Sequence, residues 1–123
     1  MAWERLKKIL IIAVLLLAPV AGGAQPSGGF VAGLEDVPLP ADFSVVRDST
    51  TVFDKPEGRI VESYATGPGS SAAVLAFYDE ALAHLGWERL GPGRFLREGE
   101  LLQIEIIAHD GPLTVRYRLA PQS

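Results

Sequence analysis

Ser71–Trp87, SAAVLAFYDEALAHLGW, is the stretch whose reading decides the fold. On a wheel of about 100° per residue, Val74, Tyr78, Ala81 and Leu85 fall close to one line. Leu75 and Leu82 flank that line on one side and Phe77 on the other. The opposite side carries Ala72, Ala76, Asp79, Glu80 and Ala83. A broad apolar stripe with a small, acidic back predicts a helix lying on a sheet. Ser70 or Ser71 can cap its start by accepting a bond from a first-turn N–H. Gly86 tolerates the left-handed backbone that ends a helix, and Trp87 would then fold back on Leu82 in a Schellman-type ending. His84 in the last turn suits the negative end of the helix dipole. The expected length is about 15 residues, or roughly 22 Å.

Outward from this helix the chain reads as strands. Downstream, Trp87–Leu90, Arg94–Arg97, Leu101–His109 and Leu113–Leu119 form a meander, with turns at Gly91-Pro92-Gly93, Glu98-Gly99 and Asp110-Gly111. Pairing across the last turn sets Ala108 against Leu113, Ile106 against Val115, Ile104 against Tyr117 and Leu102 against Leu119, all apolar. The same register opposes Glu105 and Arg116, whereas a slip of one residue would drive arginine into the core. Pro112 cannot donate the bond of a tight two-residue hairpin, so the loop is expected to open to four residues. Upstream, Thr50–Phe53 and Arg59–Thr66 form a hairpin across Lys55-Pro56-Glu57-Gly58, a type I turn pattern. Val61, Ser63 and Ala65 share one face of its second strand. The expectation is a two-layer α+β domain over residues 41–120, about five antiparallel strands in the order β-β-α-β-β-β, with the helix on one face.

The start of the chain has a different character. Residues 1–24 follow a secretory signal pattern: Arg5, Lys7 and Lys8, an apolar run from Ile9 to Val20, then Gly22-Gly23-Ala24. The apolar run is shorter than the roughly 20 residues of a spanning helix, so cleavage after Ala24 is expected; retention would make an inner-membrane-anchored subunit. Residues 25–40, rich in glycine and proline, read as a flexible linker. The chain carries 15 acids against 11 bases. Loss of Glu4, Arg5, Lys7 and Lys8 with the leader leaves fourteen acids against eight bases, a formal charge of −6. So acidic a domain does not favour phosphate backbones, which argues against nucleic acid as a partner. There is no cysteine, which excludes disulfides and thiolate metal sites and fits the periplasm of a bacterium.

Chemistry-bearing patterns are sparse. His84 and His109 are the two histidines. His84 reads as a helix-end residue, and His109 with Asp110 sits at a turn. No serine lies in a G-x-S-x-G context, and Gly67-Pro68-Gly69 lacks the pattern of a phosphate-binding loop. No catalytic, cofactor-binding or metal-ligating residue is assigned. The surface feature of note is a set of arginines: Arg94, Arg116 and Arg118 line up on the outer face of the meander, with Arg89 and Arg97 nearby. With Leu96 and Ile107 on that face, they form a candidate docking surface for an acidic or carboxylate-bearing partner.

The helix and the strands after it resemble a pattern in small exported bacterial proteins, F-Y-x-x-x-L-x-x-x-G-W leading into a meander. The matching residues are Phe77, Tyr78, Leu82, Gly86 and Trp87, and the resemblance covers roughly residues 59–119. It implies export and fold and carries over no catalytic residue. The expected role is that of a non-enzymatic binding or accessory module of the bacterial envelope, holding an envelope protein or cell-wall component. The alternative is a periplasmic enzyme on a small molecule, with His109 and Asp110 as its candidate pair.

Overall fold

The computed structural model describes residues 29–122. The expected leader at residues 1–24, and residues 25–28 of the expected linker, lie outside the described residues. The elements run β1 (Phe30–Val31), β2 (Leu34–Pro38), β3 (Ser44–Val45), β4 (Thr51–Lys55), β5 (Gly58–Gly67), α1 (Ser71–His84), β6 (Glu88–Gly91), β7 (Arg94–Arg97), β8 (Glu100–Ala108) and β9 (Leu113–Pro121). β1 and β2 form a small sheet of their own. The other seven strands form one open antiparallel sheet in the order β3-β5-β9-β8-β7-β6, with β4 also paired to β5. The fold is α+β, but the sheet is larger than the five strands expected. Ahead of the expected hairpin, β3 adds a strand by pairing Ser44 with Thr66 and Val45 with Ala65, and Asp48 between β3 and β4 takes a left-handed backbone, φ 58°. There the Ser49 hydroxyl accepts a bond from the Tyr64 N–H at 3.2 Å, in place of a strand partner. β6, short and irregular, is the outermost strand of the meander, where Trp87–Leu90 is expected.

α1 forms where the periodicity places it. The Ser70 hydroxyl accepts from the Ala73 N–H at 3.1 Å, so Ser70 is the N-cap. At the other end the Trp87 N–H donates to the Leu82 carbonyl at 3.0 Å and the Gly86 N–H to the Ala83 carbonyl at 3.3 Å. With Gly86 at φ 88°, this is the Schellman ending. Val74, Tyr78 and Leu82 are buried. Leu85 departs from the wheel: it is the C-cap residue, φ −97°, and is 42% exposed. The helix has stopped turning by that point, so helical spacing no longer aims its side chain at the sheet.

The sheet face under α1 is apolar by strict alternation. β5 contributes Val61, Ser63 and Ala65, β9 Leu113, Val115, Tyr117 and Leu119, β8 Leu102 and Ile104, and β7 Phe95, all buried. Ser63, the buried polar residue of this set, is satisfied by Thr50 at 2.9 Å. The β8–β9 register agrees with the expectation at Ile106–Val115, Ile104–Tyr117, Leu102–Leu119 and Glu105–Arg116. It departs at the end of the hairpin, where Ala108 opposes Thr114 instead of Leu113. A bulge between Ile106 and Ala108 leaves Ile107 as the extra residue.

The flexible linker expected over residues 25–40 is overturned across its described part. Val31, Leu34, Val37 and Leu39 are buried members of the same core as the helix and sheet. The β1–β2 hairpin lies beside α1 on the inner sheet face. A Cβ on Gly33, φ +81°, would come within 3.0 Å of Val61 and 3.1 Å of Thr50, so a glycine lets the hairpin settle this closely. The hairpin is tied down by a buried chain of bonds: the Tyr78 hydroxyl donates to the Pro38 carbonyl at 2.8 Å and stands 2.7 Å from the Tyr117 hydroxyl. A carbonyl can only accept, so Tyr78 spends its proton on Pro38 and Tyr117 donates to Tyr78. Helix, sheet and N-terminal hairpin thus meet at one point.

Candidate docking face

The outer face of the sheet follows from the pairing of β5 with β9, which places the first hairpin beside the last strand. Register sets Arg94 against Gln103, Gln103 against Arg118, Arg118 against Glu62 and Glu62 against Thr51. A polar row therefore crosses five strands at about 4.8 Å per step. One pair further along the strands, Glu105 opposes Arg116 and Arg116 opposes Tyr64. In the other direction Leu96 opposes Leu101 and Leu101 opposes Ala120. All of these alternate with buried residues, so they share the face turned away from α1.

Arg94, Gln103, Glu105, Arg116 and Arg118 line a shallow depression of about 370 Å³. The Arg116 guanidinium donates to a Glu105 carboxylate oxygen at 2.6 Å. Its pKa is raised, first by the neighbouring Tyr64 and then by the Glu105 charge. The Tyr64 hydroxyl donates to Glu62 at 3.2 Å. Arg94 and Arg118 are exposed and form no ion pair among the described residues. Two guanidinium groups outside any ion pair thus flank one primary amide. Each presents a planar fork of donors suited to bidentate binding of a carboxylate.

The structure brings Arg94, Arg116 and Arg118 together as expected and sets half-buried Leu96 beside them on the same face. Ile107, 46% exposed, sits at the bulge of β8 and does not line the depression. Arg89 and Arg97 turn to the helix side. Arg89 pairs with Asp79 at 2.9 Å. Arg97 donates to the Leu85 carbonyl at 3.1 Å, bonds Asp36 of β2 and lies 4.5 Å over the Trp87 ring. They are fasteners between layers, because Arg97 alternates inward with Phe95 on β7 and Arg89 of β6 opposes Phe95. Gln103 is the member that sequence reasoning missed. The two-residue turn at Glu98-Gly99 already places it opposite Arg94, and its alternation with Leu102 and Ile104 places it outward.

His109 and Asp110 are both exposed in the loop after β8. His84 Nδ1 lies 3.2 Å from the Glu80 carbonyl, a bond within its own helix. Among the described residues no group of three or more histidines and carboxylates is placed to hold a metal ion. Comparison with family models, curated proteins and solved structures finds no match to this chain.

Proposed function

We propose that this chain is an exported, non-enzymatic binding module of the bacterial envelope. It holds a carboxylate-bearing partner, an envelope protein or a cell-wall component, on the outer sheet face. The observation that carries this reading is the pair Arg94 and Arg118: two exposed guanidinium groups that form no ion pair among the described residues, beside Gln103 and Arg116 on a chain whose net charge is −4. A local positive patch on an acidic domain selects for complementary charge and turns away partners of the wrong sign. The leader-like pattern of residues 1–24 and the absence of cysteine support the compartment.

Crosslinking capture from periplasmic extract tests the reading. The unmodified chain should retain a set of partners that Arg118→Glu and Arg116→Glu lose together. Unchanged capture by both variants, with the fold intact by circular dichroism, removes the docking face from consideration.

A further inference from the structure

We infer that β4 is a self-pairing edge, through which a second copy of this chain joins to make one continuous sheet. The two edges of the sheet are built differently. β6 is four residues long, interrupted by a bulge between Arg89 and Gly91, and fastened to α1 through Arg89 and Asp79. Bulges and charges are how natural sheets blunt an edge against unwanted pairing. β4 has no bulge, and its two charges, Asp54 and Lys55, are of opposite sign. Thr51, Val52, Phe53, Asp54 and Lys55 pair with β5 in unbroken register. All five are exposed, Val52 to 52% and Phe53 to 60%. Among the described residues, 51–55 make no hydrogen bond outside their ladder to β5. Thr-Val-Phe is also the composition that a pleated surface favours.

Charge and strand length together favour one register and a second copy as the occupant. Two copies meeting antiparallel about a two-fold axis at Phe53 oppose Phe53 to Phe53, Val52 to Asp54 and Thr51 to Lys55. No like charges face each other, and all five residues of each strand are used. Moving the axis one residue to Asp54 or two to Lys55 would oppose two carboxylates or two ammonium groups, which is unfavourable. The edge is thus complementary to itself, the requirement of a two-fold interface. A depression of about 460 Å³ beside the strand, lined by Phe53, Ile60 and Lys55 among others, gives the incoming Phe53 ring a place to lie. With the axis perpendicular to the sheet, the outer faces of both copies point the same way. On the docking reading, that presents two arginine depressions to one partner.

The chain has no cysteine, so single introduced thiols report contacts without background. Purified full-length protein carrying Phe53→Cys should form a disulfide-linked dimer on mild oxidation, because opposed side chains across an antiparallel pair approach to about 4.5–5.5 Å. Leu90→Cys, on the opposite edge, should stay monomeric under the same oxidation. The unmodified chain should sediment as a dimer with a melting temperature that rises with protein concentration, and Phe53→Asp as a folded monomer whose melting temperature does not depend on concentration. Equal crosslinking from both thiols, or an unmodified chain monomeric at every concentration with no Phe53→Cys crosslink, overturns the inference. Arg118→Glu should leave the dimer intact, which separates this outcome from failure of the docking face.

Discussion

The inner and outer faces of the sheet are made by the same strands, yet they obey different rules. Along β9 the inward residues Leu113, Val115, Tyr117 and Leu119 are all buried, while the residues between them include Thr114, Arg116 and Arg118. Inward positions are fixed by volume and by the cost of stranding a polar atom. Outward positions are held only by exposed pairs such as Arg116 with Glu105. The inner face is therefore where stability resides, and the outer face is free to carry recognition.

The largest effect belongs to the inner face. Phe95, 1% exposed, packs beneath the helix layer. Phe95→Ala should cost about 3–5 kcal/mol, the usual range for emptying a buried aromatic site. Urea denaturation should show this as a lower midpoint with an unchanged slope. A loss under about 1 kcal/mol would mean that this part of the face is not sealed.

The tyrosine pair gives a smaller effect with a direction. Tyr78→Phe strands the Tyr117 donor and leaves the Pro38 carbonyl without that bond. Tyr117→Phe removes only a donor to Tyr78. Tyr78→Phe should therefore be the more damaging, by about 1 kcal/mol, the range for a stranded buried group. Burial pushes both phenols up, Tyr117 to about 12. Unfolded tyrosines ionise near 10. Below about pH 10 both states keep their protons, and the contribution is fully present. Between 10 and 12 the unfolded chain releases protons that the native state retains, so stability falls as pH rises. Denaturation midpoints across this window should fall less steeply in Tyr117→Phe than in the unmodified chain.

What was legible in the sequence divides along the same line. Strict alternation in β8 and β9 gave faces and register together, because a one-residue slip would bury Arg116 or Arg118. Helical spacing with Gly86 and Trp87 gave α1 and its ending. The β1–β2 hairpin was hidden because its apolar residues, Val31, Leu34, Val37 and Leu39, follow neither a period of two nor one of 3.6. The register of β1 against β2 is itself irregular. Glycine-rich composition then reads as a tether, although Gly33 is present for close packing. The docking arginines were legible as outward residues of the meander. The neighbours that complete the face, Glu62 and Tyr64, depend on β5 lying beside β9, a long-range pairing that no local pattern encodes.

The smallest effect is the sharpest test of the outer face. Glu105 and Arg116 form a 2.6 Å bond with both side chains substantially exposed. Water and salt screen such a pair, and holding two long side chains in one geometry opposes its formation. A double-mutant cycle with Glu105→Ala and Arg116→Ala should give a small coupling that shrinks as salt is raised. Arg118→Ala, which breaks no ion pair, should stay within about 0.5 kcal/mol of the unmodified chain. The tyrosine pair, buried and uncharged, should keep its contribution over the same range of salt. If the outer pair proved salt-insensitive and worth several kcal/mol, its arginines would be structural fasteners like Arg97, and a recognition role for that face would lose its physical basis.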